Sequence, residues 1–137
     1  MAVDPVRTGD PFAFLYPFEF MRLTTFRKSG VPVPTTVWFA PDLDAQDKLY
    51  VMTSAVTGKL KRIHNNGRVV LAPSDRVGNL LDGQHQVGAF AHELPSTDHQ
   101  RAISALSHKY GAQFDAVIAR APSDRRRTYI EIEPLSK

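Results

Sequence analysis

The stretch whose residue types and spacing best suit chemistry is Tyr50-Val51-Met52-Thr53-Ser54-Ala55-Val56-Thr57-Gly58-Lys59-Leu60-Lys61-Arg62-Ile63. A strand-like run ends in hydroxyl residues, and a helix then begins at Thr57-Gly58-Lys59. A helix start carries free backbone N–H groups and the positive end of the dipole, so it favours an anion. Gly58 lets the backbone approach closely and Lys59 supplies a point charge. Thr53, Ser54 and Thr57 offer hydroxyls. These are the parts of a phosphate site. The same residues also suit an ordinary threonine cap with a solvated lysine, and only the Gly-Lys pair is shared with nucleotide-binding loops.

A second candidate is Pro34-Thr35-Thr36-Val37-Trp38-Phe39. A strand with Thr, Val and the only Trp can present backbone groups and an aromatic face to a flat ring. Trp38 and Phe39 are, by default, core residues. Other chemistry is poorly supported. The chain has no cysteine, which removes thiol nucleophiles and Cys-ligated metals. His64, His85, His92, His99 and His108 match no local metal-ligand spacing, so no metal site is assigned. Asp42, Asp44 and Asp47 lack the glycine and distal Glu of a calcium loop.

Short strands must position these residues. Leu23–Arg27 and Val33–Ala40 read as a hairpin about Lys28-Ser29-Gly30, with Pro32 and Pro34 placing the second strand's start at an edge or bulge. An acidic loop over 41–47 leads to a strand over 48–53 with Leu49 and Val51 on one face. Leu60 and Ile63 share one face of the helix, which stops at Asn65-Asn66-Gly67. Strands follow over 68–72 and 84–94. Thr97-Asp98-His99-Gln100 fits a capping box before a helix marked by Ala102, Ile103, Leu106 and Tyr110 and closed by Gly111. The last strand, Thr128 to Glu133, alternates Ile with Glu, which predicts one polar face. About six strands with two helices, the first three strands having no helix between them, predict a mainly β, α+β fold: a six-stranded antiparallel barrel with flanking helices.

With 137 residues and 42% hydrophobic content, the chain suits one globular domain over 1–137, residues 1–19 forming an arm or short helix around Phe14–Phe20. No apolar run approaches a membrane span and the acidic first residues do not suit a signal peptide, so a soluble, cytoplasmic protein with no membrane partner is expected. The formal charge is +3, yet residues 59–76 alone carry +4. Local excess suits a small polyanionic ligand better than a nucleic-acid backbone. An RNA-binding barrel using Arg125-Arg126-Arg127 lacks a repeated aromatic platform, so no nucleic-acid partner is assigned.

Taken in order, Met21-Arg22-Leu23-Thr24-Thr25-Phe26-Arg27, Val33 to Phe39, Leu49 to Thr53, Gly58 to Ile63 and Asn66-x-Arg68-Val69 resemble the pyridoxamine 5′-phosphate oxidase-like split β-barrel family. The resemblance spans about residues 20–134 and is nearest the actinobacterial deazaflavin (coenzyme F420)-dependent reductases. It implies a homodimeric split barrel with a cofactor groove at the dimer seam. By position, Lys59 with Thr53, Ser54 and Thr57 would hold the cofactor phosphate, and Thr35, Thr36, Val37 and Trp38 would line its ring. Arg62 would approach the phosphate or an acidic tail. It implies no catalytic side chain, a small-molecule substrate, and F420 as cofactor, with FMN or haem as alternatives. Phe12, Phe14, Tyr16, Phe18 and Phe20 add a further argument for a dimer, because their spacing suits neither an amphipathic helix nor a solvated tail.

Overall fold

The computed structural model describes residues 10–45, 47–55, 57–81, 85–120 and 127–135. Arg125, Arg126, the first nine residues of the expected arm and residues 82–84 lie outside the described residues. Seven strands form one antiparallel sheet: β1 (Phe20–Phe26), β2 (Pro32–Trp38), β3 (Ala40–Pro41), β4 (Leu49–Ser54), β5 (Arg68–Ser74), β6 (Val87–Glu93) and β7 (Arg127–Pro134). Their order is β2-β1-β5-β6-β7-β4-β3. The two edges, β2 and β3, are consecutive in the chain, so a single run bent at Phe39 joins one edge of the sheet to the other.

That bend explains why seven strands stand where six are expected. Trp38 pairs with Phe20 on β1, whereas Ala40 pairs with Tyr50 on β4. Phe39 between them leaves the ladder. Its N–H donates to the Tyr110 hydroxyl at 2.9 Å, and its carbonyl lies 2.8 Å from the same oxygen. One tyrosine thus satisfies the backbone where the strand splits. The expected edge prolines fit this topology, since β2 pairs with β1 alone.

Three helices accompany the sheet: α1 (Gly58–Asn65), α2 (His99–Tyr110) and α3 (Ala112–Arg120). α1 buries Leu60 and Ile63 in the barrel core with Leu23, Val51, Val69 and Ile130. α2 buries Ala102, Ala105 and Leu106 against the outer face, where Tyr50, Leu94, Phe114 and Tyr129 form a second cluster.

Four expectations need correction. The helix around Phe14–Phe20 is only a 3-10 turn, Ala13–Leu15, and Phe20 already belongs to β1. The capping box is not formed: Asp98 precedes α2 without a side-chain cap, because a 3-10 turn over Ser96–Asp98 moves the helix start one residue on. α3 is a third helix, although Phe114, Val117 and Ile118 already show the helical spacing. The expected polar face of the last strand is largely covered, since Tyr129 and Glu131 are buried along with Ile130 and Ile132, and only Glu133 stays partly exposed. α2 and the β4 side chains cover the face expected to meet water.

The aromatics of the N-terminal segment are covered in part by the chain itself. Phe12 is fully buried in the barrel core, and Phe14 and Tyr16 pack against it. Phe14, Tyr16, Phe18 and Phe20 remain partly exposed.

Candidate functional site

α1 begins because Thr57 caps it. The Thr57 oxygen accepts the Leu60 N–H at 3.3 Å, and its proton goes to the Ser54 carbonyl at 3.2 Å. The buried Thr53 hydroxyl lies 3.2 Å from it. Thr53, Ser54 and Thr57 therefore stand together, with the Thr57 proton used inside the turn. The N–H groups of Gly58 and Lys59 have no intrahelical acceptor and remain the donors at this end.

The charges here are unusual for a helix start. No acidic residue occupies the first turn of α1, where a carboxylate ordinarily stabilises the dipole. Instead Arg62 folds back over Gly58, with a guanidinium nitrogen 2.8 Å from the point where a Cβ would stand. Glycine makes the space that this arginine fills. The Arg62 Nε–H donates to Thr25 Oγ1 at 2.7 Å, and Thr25 is aligned with Val33 on β2. This bond ties the positive end of α1 to the first hairpin. Burial, reinforced by the Arg62 charge, pushes the Lys59 ammonium below its ordinary pKa. Among the described residues no carboxylate pairs with Lys59 or Arg62. An anion placed against Lys59 would favour its charged form and offset the shift.

The four residues of β2 divide between two faces. Val37 is buried in the barrel core, so its side chain is withheld from any groove. Thr35 donates its hydroxyl to the Leu23 carbonyl at 3.2 Å. Thr36 lies against Gly78 of the β5–β6 connection. Trp38 stacks on Tyr110 with centroids 4.3 Å apart and planes 12° from parallel. Sequence alternation already separates Thr36 and Trp38 from Val37. The stacking partner, 72 positions away, carries no local signal.

Sequence reasoning also missed a buried polar cluster on the outer face. Tyr50 is fully buried and donates to Asp42 Oδ1 at 2.7 Å, with Glu131 Oε2 at 3.1 Å. Arg101 reaches Asp42 Oδ1 at 3.0 Å, and Lys48 bridges Glu131 and Glu133 at 3.3 and 3.1 Å. His92, Glu131 and Glu133 also bring one ligand atom each within 4.8 Å of one another, but the Lys48 ammonium already sits on both carboxylates. Burial raises the Asp42 pKa, yet the Ala45 N–H, the Tyr50 hydroxyl and the Asp44 N–H outweigh it and hold the carboxyl below its ordinary value.

The stability from Asp42 is therefore full above its unfolded pKa and is lost as pH falls through the lower folded one. Asp42→Asn lacks that contribution at every pH. In urea unfolding, the gap between wild type and Asp42→Asn is expected to be wide at neutral pH and to narrow below about pH 4. A gap that stays constant into acid would refute the assignment.

A family model described as pyridoxamine 5′-phosphate oxidase matches residues 12–136. No curated protein matches the chain in sequence. Solved structures share the fold. The haem storage protein HutZ of Vibrio cholerae has 14% identity and a TM-score of 0.65, over 100% of this chain and 93% of that one. An F420 reductase has 20% identity and a TM-score of 0.59, over 91% and 93%. A pyridoxamine 5′-phosphate oxidase-related, FMN-binding protein of Nostoc punctiforme has 16% identity and a TM-score of 0.61, over 98% and 84%. At these identities the likeness is one of fold.

Proposed function

The chain belongs to the pyridoxamine 5′-phosphate oxidase family, and from that premise we propose that it is a coenzyme F420 (deazaflavin)-dependent oxidoreductase acting on a small unsaturated, quinone-like or nitro substrate. The observation that carries this reading is the partly buried Lys59 ammonium beside Arg62, at a helix start with no acid of its own. When bound, the deazaflavin supplies the hydride chemistry. The chain's residues bind and orient. Lys59, Arg62 and the N–H groups of Gly58 and Lys59 hold the phosphate, with Thr53, Ser54 and Thr57 shaping the turn beneath it. Thr36 and Trp38 flank the ring, and Thr35 and Val37, on the other face of β2, contribute backbone. No side chain is assigned a catalytic proton.

The second reading is an FMN- or haem-binding protein, or a non-catalytic cofactor carrier. It is favoured by structural neighbours that include an FMN-binding protein and a haem storage protein. Local charge favours the deazaflavin, because a phosphodiester and carboxylate tail use more of the +4 carried by residues 59–76 than the single phosphate of FMN does.

The working unit in this reading is a homodimer. Its support is the family resemblance and the outer face of β6, where Phe90 is half exposed and Leu135 lies against Gly88.

Titration with deazaflavin, FMN and haem under one condition tests the reading. Deazaflavin is expected to bind most tightly, and to weaken as salt rises because exposed basic groups are screened. Light scattering of the same samples is expected to give about twice 15.3 kDa. Tight FMN binding with no deazaflavin binding would leave the family and overturn the cofactor.

A further inference from the structure

A cavity of about 510 Å³ opens where the ends of β4 and β6 meet the start of β7 and the lead-in to α2. Ala55, Leu94 and Pro95 give it apolar walls, and Ser96, His99 and Arg127 give it polar ones. Neither Lys59 nor Arg62 lines it, although Arg127 and Thr128 pair with Ser54 and Thr53, so it borders the phosphate cluster on the β7 side. Its volume lies within the range of small-molecule sites.

The polar groups around it differ in what they have left to offer. Both oxygens of Glu93 are engaged: Oε1 with His64 Nε2 at 2.8 Å, and Oε2 with the Thr128 hydroxyl at 2.6 Å. The Thr128 bond, foremost, with His64 holds the Glu93 carboxyl below its ordinary pKa against the effect of burial. His99 Nε2 lies 3.3 Å from the Leu94 carbonyl, which fixes its proton there and leaves Nδ1 as an acceptor. The Thr128 proton is spent on Glu93. The Arg127 guanidinium lies close enough to the phenol of Tyr129 to favour its ionised form, and no carboxylate pairs with Arg127 among the described residues. The wall's one carboxylate has both its oxygens engaged, while among the described residues its guanidinium has no anion beside it.

We propose that this cavity binds a small organic carboxylate, with Arg127 taking the carboxylate and Leu94, Pro95 and Ala55 covering an apolar body. A guanidinium presents a planar fork of N–H donors that matches a carboxylate in shape and charge. A neutral molecule of the same size gains only the apolar walls. A cation gains little, because the Glu93 oxygens already have partners.

Benzoate and benzyl alcohol, a charged and a neutral probe of similar size, separate these cases in nitrogen-15 NMR titrations of the whole chain. Benzoate is expected to shift the amides of Leu94, Ser96, His99 and Thr128 and to bind at least tenfold more tightly than the alcohol. Arg127→Gln should bring benzoate down to the alcohol's affinity. Ala55→Phe, which fills the cavity from its apolar side, should remove both, and it carries the test should Arg127→Gln fail to fold. Equal binding of the two probes, shifts centred elsewhere, or benzoate binding retained in Ala55→Phe would overturn the proposal. None of these outcomes depends on a deazaflavin, so the test stands apart from the proposed cofactor.

Discussion

Replacing Lys59 by alanine is expected to weaken deazaflavin binding by about 1.5–3 kcal/mol, the range for hydrogen bonds to charged groups. That corresponds to roughly tenfold to a hundredfold or more in the dissociation constant. The size follows from where the ammonium sits. It is partly withdrawn from water, lacks a carboxylate among the described residues, and lies beside a second cation at the positive end of α1. Those features disfavour the charged form in the free protein, and an anion offsets them. Lys61, two residues on, is exposed on another face of α1. Lys61→Ala should lower affinity severalfold at most, as a screened surface charge does. Fluorescence titration of both variants at two salt concentrations checks this. Equal losses would mean that diffuse charge, rather than a defined site, attracts the ligand. Folding should be little affected, since Leu60 and Ile63 anchor the helix.

Tyr110→Phe is expected to destabilise the fold by about 1–3 kcal/mol, the cost of stranding a buried backbone donor. The ring and its stack on Trp38 survive this change, so only the hydroxyl is tested. That oxygen accepts the Phe39 N–H at 2.9 Å and faces the carbonyls of Phe39 and Glu19 at 2.8 and 2.7 Å. Its single proton is shared between the two carbonyls. Burial raises its pKa well above the ordinary phenol value, so the proton is retained. Without the hydroxyl, the Phe39 N–H has no partner at the bend between β2 and β3. Urea unfolding should show a lower midpoint with an unchanged slope. A variant within about 0.5 kcal/mol of wild type, no more than an ordinary surface substitution, would show that water replaces the bond.

Lys109, the neighbouring residue, reinforces the same corner. Its ammonium lies 3.4 Å from the centre of the Phe39 ring and donates to the Phe18 carbonyl at 2.8 Å. Burial lowers its pKa to about 8, against the opposing effect of Glu19. The last turn of α2 therefore holds both the N-terminal segment and the bent strand.

By itself, the sequence determined what local spacing can specify. Leu60 and Ile63 mark the buried stripe of α1, and Thr57 ahead of Gly58 sets its start, because caps and helical periodicity act within four residues. Leu49 and Val51 mark the inner face of β4, because strand alternation acts over two. Residue order alone carries the resemblance to the family whose model matches the chain. Only the tertiary structure decided the contacts that join distant positions. Glu131 looks solvated in its own strand, and becomes buried because Tyr50 and His92 arrive from other strands and Lys48 from the loop ahead of β4. Val33–Ala40 reads as one strand, and splits because Tyr110, 71 positions beyond Phe39, supplies the hydroxyl that lets Phe39 leave the ladder. The cavity beside Arg127 is assembled from β4, β6, β7 and the approach to α2, and no window of the chain contains more than a part of it. Periodicity and capping report on neighbours along the chain, whereas burial and charge pairing depend on which surfaces the sheet order brings together.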